Sequence, residues 1–162
     1  QHVGLKFFNV YGPNEYFKGS MASMVFHGYK QILESGTIKL FKSCNPDYED
    51  GGQLRDFVYV KDICKVIVWM LENTQVSGLF NVGTGRAQSF KELAEATFRA
   101  LNLEPNIVYI DMPEQLKRKY QYYTKAEIGK LRDVGYDKVF MDLEAGAMDY
   151  VIKYLENEME IY

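Results

Sequence analysis

The sequence is poor in the residues that mark disulfide-bonded, metal-binding or nucleic-acid-binding proteins. Among 162 residues there are only two cysteines, Cys44 and Cys64, and two histidines. The cysteines have neither metal-binding nor redox spacing, so we expect free thiols in a reducing compartment, the cytoplasm. Aspartate and glutamate (22) outnumber lysine and arginine (19), and the net charge is −3. No nucleic-acid partner is expected, because neutralising phosphates requires a basic surface.

An apolar run long enough to span a bilayer is also missing, as is a signal-peptide pattern, so no membrane partner is expected. Hydrophobic residues make up 47% and charged residues 25%, the composition of a globular domain with a buried core. The chain runs from Gln1 almost directly into a predicted strand, whereas natural termini lie at the surface. We therefore expect these residues to be part of a longer protein.

Two apolar runs predict buried parallel strands, each followed by a sharp turn. The first covers Val3 to Val10 and leads to Gly12-Pro13, and the second covers Gly78 to Val82 and leads to Gly83-x-Gly85. Alternation of such strands with amphipathic helices predicts a doubly wound α/β sheet, in which ligands bind at the carboxyl ends of the strands. Gly83-x-Gly85 could also begin a dinucleotide fingerprint, but the third glycine and the downstream acidic residue are missing, which favours a tight turn.

Apolar spacing predicts a helix over residues 20–35, preceded by a cationic side chain. Ser20 and His27 fall on its polar face, and Lys18 comes just before its predicted N-terminus. Together they indicate a site for a polar, anionic ligand, although a solvated surface histidine is an alternative for His27. The predicted apolar face of this helix consists of Ala22, Val25, Phe26, Tyr29, Ile32 and Leu33.

Further helix signals lie downstream. A second helix has a predicted apolar face of Val60, Ile63, Cys64, Ile67 and Leu71. Capping boxes at Ser89–Glu92 and Thr124–Glu127, and a cap at Asp142, predict three more helix starts.

Two charged stretches admit alternatives. The acidic loop from Ser43 to Leu54 lacks calcium-binding spacing and is best explained as solvated, so no metal site is predicted. Lys117-Arg118-Lys119, beside several tyrosines, could be a solvated face or could cover a nucleotide.

Three motifs resemble the C-terminal half of extended short-chain dehydrogenase/reductases that act on nucleotide sugars. They are Phe8 to Pro13, Arg55 to Asp62 and Phe80 to Gly85. Lys18 to Ser23 with His27, and Tyr120-Gln121 before Thr124, are narrower and are similar to epimerases of ADP-activated heptoses. The resemblance implies that residues 1–162 combine the C-terminal strands and helices of a Rossmann-type sheet with a smaller mixed α/β substrate-binding lobe, without the N-terminal dinucleotide-binding part.

The same resemblance implies a function. Such an enzyme inverts C6 of the heptose of ADP-glycero-manno-heptose, a lipopolysaccharide precursor, through transient oxidation and reduction by NADP, and forms a homo-oligomer. Lys18 would be an acid/base residue and, with Val10, would contact NADP. The residues implied to bind the substrate are Asn9, Ser20, His27, Phe41, Lys42, Ser43, Cys44, Arg55 and Tyr120.

Other interpretations stay open at this point. No tyrosine has a lysine four residues later, and a complete glycine-rich nucleotide turn is missing, so we expect no turnover by these residues alone. The chain could instead belong to a 4-epimerase or 4,6-dehydratase of another nucleotide sugar, or to a non-catalytic sugar-nucleotide-binding or assembly module. Arg55 could simply pair with Asp56 or Asp62 on the surface.

Overall fold

Strands and helices follow the apolar pattern of the chain in the computed structural model, which describes residues 1–157. The strands are β1 (Val3–Phe7), β2 (Asn9–Tyr11), β3 (Ile38–Phe41), β4 (Leu54–Arg55), β5 (Phe57–Tyr59), β6 (Gly78–Val82), β7 (Gln88–Ser89) and β8 (Ile107–Ile110). The α-helices are α1 (Met24–Ser35), α2 (Val60–Glu72), α3 (Phe90–Ala100), α4 (Glu114–Lys117), α5 (Gly129–Asp133) and α6 (Leu143–Tyr150). A 3-10 turn covers Gly19–Met21, and a π-helical turn covers Val151–Leu155.

Parallel pairing dominates the sheet structure. Strand β1 pairs with β6, β2 with β5 and β3 with β8, all parallel, and the short strands β4 and β7 form an antiparallel pair. Helices connect the parallel strands, as parallel pairing requires. The predicted α/β class of the Rossmann type is confirmed.

The predicted strand from Val3 to Val10 is in fact two strands. At Phe8 the chain changes partner: the Phe8 N–H donates to Val82 O at 3.1 Å, and the Asn9 N–H donates to Asp56 O at 3.0 Å. The prediction that both faces are covered is also wrong, because Lys6 is exposed and Phe7 is 45% exposed. A continuous apolar pattern could not reveal a change of partner, since pairing is a tertiary property.

The first long helix begins later than predicted. Ser23, not Ser20, is the N-cap of α1, and its hydroxyl accepts a hydrogen bond from Phe26 N at 3.3 Å. Ser20 lies in the preceding 3-10 turn. Within α1 the predicted apolar face is buried except for Leu33, whose side chain is 66% exposed.

The predicted apolar face of α2 is largely wrong. Its buried apolar residues are Ile63, Val66 and Met70, whereas Leu71 is 68% exposed and Ile67 is 39% exposed. This helix is apolar on both sides, so hydrophobic periodicity could not select the buried one.

Two of the three predicted helix starts are confirmed. Ser89 and Glu92 form a capping box, and the Asp142 carboxylate accepts from Ala145 N at 2.8 Å. The box at Thr124 is wrong, because this segment is extended and the Thr124 N–H donates to Leu54 O at 3.1 Å. Helix α5 starts only at Gly129.

Close packing of α6 against the sheet depends on a glycine. The largest apolar cluster gathers residues of β2 and β5, including Tyr11, Phe57 and Tyr59, beneath α1, α3 and α6. At Gly146 of α6, an added Cβ would lie 2.0 Å from the Tyr11 hydroxyl oxygen, which itself donates to Leu143 O at 3.4 Å. The helix can approach Tyr11 this closely only without a side chain at this position.

Two smaller findings concern predictions from composition. Cys44 and Cys64 are free, as predicted; both are exposed, although Cys64 was predicted to lie on the apolar face of α2. Within the described residues, no helix combines the length and the apolar character needed to cross a membrane.

We expect the substitution Gly146→Ala to destabilise the fold by about 1–3 kcal/mol, because the added methyl group overlaps the Tyr11 hydroxyl. Urea denaturation gives the free energy of unfolding. The matched control is Gly129→Ala in α5, where an added Cβ meets no atom within 4 Å, and we expect a change below about 1 kcal/mol. Equal stability of the two variants would contradict the packing argument.

Candidate functional site

Two neighbouring cavities lie beside paired parallel strands. The larger, about 760 Å³, runs along α1, and Phe41 and Ile110 in its wall end the paired strands β3 and β8. The smaller, about 290 Å³, opens beside β2 and β5. Ala22, Met24 and Phe90 line both cavities, which therefore share one wall.

The structure brings six of the predicted site residues to these cavities. Ser20, His27, Phe41 and Tyr120 line the larger one. Asn9 and Val10 line the smaller one. The predicted juxtaposition of Ser20 and His27 is thus present, although Ser20 reaches it from the 3-10 turn and not from the helix.

Lys18 lies beside the cavities without lining either. It precedes the turn Gly19–Met21, of which Ser20 lines the larger cavity and Met21 the smaller one. Its backbone N–H donates to Glu15 O at 3.0 Å. Gly19 supports the sharp bend that follows with a φ of +54°, a conformation that glycine adopts at little cost.

Arg55 is a buried cation behind the wall of the larger cavity. It is 8% exposed, and its guanidinium carbon lies 5.3 Å from the ring centre of Tyr120 and 5.6 Å from that of Phe90. One guanidinium nitrogen donates to Leu54 O at 2.8 Å. Burial lowers the pKa of Arg55, yet a guanidinium stays protonated at neutral pH.

The alternative that Arg55 pairs with Asp56 or Asp62 is wrong. The Asp56 carboxylate is bound elsewhere, and that of Asp62 accepts from Lys65 Nζ at 2.7 Å and from Met141 N at 2.6 Å. Within residues 1–157 no carboxylate forms an ion pair with Arg55. A buried cation without a protein anion is suited to an anionic ligand.

The three predicted residues after Phe41 lie in the loop beyond the larger cavity. Lys42 Nζ pairs with Asp111 at 3.0 Å. The Ser43 hydroxyl donates to Asn45 O at 2.7 Å, and the Cys44 N–H donates to the Tyr122 hydroxyl at 3.0 Å. None of the three lines either of these two cavities, so they lie apart from the six site residues found there.

Aromatic rings connect this loop to the larger cavity. The ring of Tyr122 lies 5.1 Å from that of Tyr48 and 5.6 Å from that of Tyr120, and Tyr120 in turn lies 6.4 Å from Phe41. Burial raises the pKa of the Tyr120 hydroxyl despite the opposing charge of Arg55, so this hydroxyl is neutral at pH 7. These tyrosines thus form an aromatic cluster between the loop and the cavity, whereas Arg118 and Lys119 of the basic run are exposed, in keeping with a solvated face.

Sequence reasoning missed the carboxylate that organises the site. Asp56 is fully buried, and one of its oxygens accepts from both the N–H and the hydroxyl of Thr84 at 2.7 Å. The other accepts from Gly85 N at 2.9 Å and Ala126 N at 3.0 Å. The available signal was a carboxylate directly before the apolar run Phe57-Val58-Tyr59, because a charge buried with such a run must be hydrogen-bonded.

These bonds also decide the interpretation of Gly83-x-Gly85. The N–H groups of Thr84 and Gly85 already donate to Asp56, so they cannot cradle a phosphate. The turn is a tight structural turn, as favoured from the sequence. Within the described part of the chain, no group of three histidine, cysteine or acidic side chains is placed to hold a metal ion.

The fold is that of a Rossmann-type α/β protein, with two adjoining cavities beside its paired parallel strands. Residues 1–83 match the model of the NAD dependent epimerase/dehydratase family, and the chain belongs to that family.

The curated relatives carry the name of one particular enzyme within this family. The chain is 57% identical over 153 residues to an ADP-L-glycero-D-manno-heptose-6-epimerase of Nitratidesulfovibrio vulgaris strain Hildenborough, covering 94% of this chain and 47% of the relative. It is 55% identical over 164 residues to the enzyme of that name from Fusobacterium nucleatum, covering 98% and 49%. The chain thus spans about half the length of these relatives.

Among solved structures, the ADP-L-glycero-D-manno-heptose-6-epimerase of Helicobacter pylori matches with a TM-score of 0.76 and 34% identity, covering 93% of this chain and 43% of that one. The UDP-glucose 4-epimerase of Thermus thermophilus, solved with NAD, matches with a TM-score of 0.71 at 24% identity, which supports the fold alone.

We expect Asp56→Asn to destabilise the protein by about 2–4 kcal/mol, because the amide group replaces one acceptor oxygen and faces backbone N–H donors. Urea denaturation gives the free energy of unfolding. Asp47→Asn, in the exposed acidic loop, is the matched control, with an expected change within about 0.5 kcal/mol. A change for Asp56→Asn as small as the control's would contradict the role assigned to Asp56.

Proposed function

We propose that this chain supplies the sugar-nucleotide site and an acid/base lysine of an epimerase that inverts C6 of ADP-glycero-manno-heptose. The single observation that carries the proposal is the Arg55 guanidinium. It is buried between Tyr120 and Phe90 and has no carboxylate partner within residues 1–157. A diphosphate is the ligand that a guanidinium grips best. The names of the curated relatives support an ADP-activated heptose as the sugar nucleotide.

The ADP moiety is assigned to the end of the larger cavity near β3. Phe41 and Tyr120 offer ring faces for the adenine, and Arg55 lies directly behind Tyr120. We propose that Lys42, Ser43 and Cys44 contact the ADP from the adjoining loop. Their side chains would approach it if the ligand extends past the cavity rim.

The sugar and its phosphates are assigned to the region where the two cavities meet. Ser20 and His27 line the larger cavity there and can hydrogen-bond the sugar or a phosphate oxygen, and Asn9 is placed for the sugar in the smaller one. We propose that Lys18, next to Ser20, holds or accepts the proton of the reacting hydroxyl group. Inversion through a ketone needs such a group on each face of the sugar.

The smaller cavity fits the nicotinamide end of a dinucleotide. Val10, Asn9 and the shared residue Ala22 line this cavity beside the region assigned to the sugar. When bound, the nicotinamide accepts a hydride from the substrate and returns it. The turn after β6 does not serve as a phosphate cradle for the rest of the dinucleotide, because the N–H groups of Thr84 and Gly85 donate to Asp56. We propose NADP as the cofactor, held mainly by residues outside this chain.

We further propose that the complete enzyme is a cytoplasmic homo-oligomer and that these 162 residues alone do not turn over. The reason is chemical: the sequence contains no Tyr-x-x-x-Lys motif to serve as the second acid/base group.

Nucleotide binding tests the site directly. We expect the chain to bind ADP and ADP-mannose at least about tenfold more tightly than UDP-glucose or dTDP-glucose in titration calorimetry. Arg55→Lys should weaken ADP binding by about tenfold, since an ammonium group neither grips a diphosphate at two points nor stacks between two rings. Arg86→Lys, in the exposed turn after β6, is the matched control and should bind like the parent. Equal affinity for ADP and UDP sugars would overturn the proposed substrate and favour the 4-epimerase or dehydratase alternative.

Turnover requires a chain that binds the cofactor. Fusing the part of the Nitratidesulfovibrio vulgaris relative that this chain does not cover ahead of Gln1 gives a chimera for this test. We expect the chimera, with NADP, to invert C6 of ADP-heptose as followed by NMR of the sugar, and the 162 residues alone to be inactive. Lys18→Met should lower kcat by about 100-fold while ADP affinity is unchanged. The exposed Lys138→Met is the control. Full activity of the Lys18→Met chimera would contradict the assigned role.

A further inference from the structure

Glu15 is a buried carboxylate that the proposed function does not use. It is 2% exposed, both of its carboxylate oxygens accept hydrogen bonds from Ser23, and it also faces the buried hydroxyl of Tyr150 in α6, whose pKa burial and this carboxylate both raise. Oε2 accepts from the Ser23 N–H at 2.8 Å, and Oε1 accepts from the Ser23 hydroxyl at 2.6 Å. Since Ser23 caps α1, the charge of Glu15 also lies at the positive end of that helix.

The backbone of Glu15 holds the next part of the same segment. Its carbonyl oxygen accepts from the Lys18 N–H at 3.0 Å. The Lys18 carbonyl accepts from Met21 N at 3.0 Å, and the Gly19 carbonyl accepts from Ala22 N at 3.2 Å. Residues 15–23 therefore form a closed loop, whose two ends are joined by the Glu15 side chain and whose tip carries Lys18 and Ser20.

The tip of this loop has little packing of its own. Phe17 is 78% exposed and Met21 is 83% exposed. At Gly19, an added Cβ would meet no atom within 4 Å. The loop is anchored near its ends, where the Tyr16 ring lies 5.8 Å from that of Phe26 and Ala22 is buried. Since its tip has few side-chain contacts, the position of Lys18 depends strongly on the backbone bond to Glu15 and on the bonds from Ser23 to the Glu15 carboxylate.

We propose that Glu15 is a positioning residue, which fixes Lys18 and Ser20 beside the two cavities through its paired hydrogen bonds to Ser23. The inference rests on the proposed acid/base role of Lys18. The residues assigned to ADP, Phe41, Arg55 and Tyr120, lie on other elements and do not contact this loop through any of these bonds. Loss of the Glu15 carboxylate should therefore impair the proton-transfer step more than nucleotide binding.

A role as a simple helix cap makes a different prediction. Ser23 already caps α1 through the Phe26 N–H, so a cap-only role for Glu15 would lower the stability of the whole domain and would weaken activity and binding together. The positioning role predicts a selective effect on the loop and on kcat.

Amide hydrogen exchange on the 162-residue chain tests the restraint without any turnover. In Glu15→Gln we expect exchange of the Lys18 and Ser23 amides to accelerate by about tenfold or more, because one charged acceptor is lost, while core amides of β5 change by less than about twofold. Glu104→Gln, an exposed glutamate, is the matched control. Unchanged exchange at Lys18 and Ser23, or equal acceleration throughout the domain, would overturn the proposal.

Kinetics in the chimera test the consequence. We expect Glu15→Gln to lower kcat by about tenfold or more while KM and the dissociation constant of ADP change by less than about twofold. Equal changes in kcat and KM would overturn the positioning role. The two proposals can fail separately. If the chimera does not epimerise ADP-heptose but exchange of the Lys18 and Ser23 amides accelerates in Glu15→Gln, the proposed function is contradicted and the restraint of the loop by Glu15 is supported.

Discussion

The hydrogen bonding of the Asp56 carboxylate is the constraint on which the rest of this structure depends. Four donors from two distant segments, Thr84-Gly85 and Ala126, converge on it in the interior. The backbone carbonyl of the same residue accepts from Asn9 N, so the change of strand partner at Phe8 is fixed at the same point. Such a buried charge is tolerated only when it is fully paired, and each segment that reaches it is thereby fixed in register.

The position of Arg55 follows from that of its neighbour. Successive side chains of an extended chain point to opposite sides, so a carboxylate held in the interior directs the preceding guanidinium toward Tyr120 and Phe90. Gly83 strengthens this arrangement, because an added Cβ there would lie 2.9 Å from the Asp56 carboxylate carbon and 2.7 Å from the Ala126 Cβ. The guanidinium that we propose binds the diphosphate is thus oriented by the hydrogen bonds of its neighbour Asp56.

What the sequence could predict was local. The α/β class, the caps at Ser89 and Asp142, and the cavity residues Asn9, Ser20, His27, Phe41 and Tyr120 all follow from strand ends, helix periodicity and motif resemblance. The errors have a tertiary origin. The predicted capping box at Thr124 does not form, because Thr124 N donates to Leu54 O of β4 and Ala126 N donates to Asp56. Which face of α2 is buried depends on the elements packed against it. Glu15 gave no sequence signal, since its partner Ser23 is a tertiary neighbour across a loop.

The wall shared by the two cavities limits how such a site can diverge. Phe41 and Tyr120 line the larger cavity and not the smaller, so substitutions there reshape the proposed nucleotide site at little risk to the other cavity. Both cavities are lined by Ala22, Met24 and Phe90, so a substitution at any of these positions changes the shape of both cavities at once. New substrate preferences are therefore more accessible to evolution from the distal end of the larger cavity than from its junction with the smaller one.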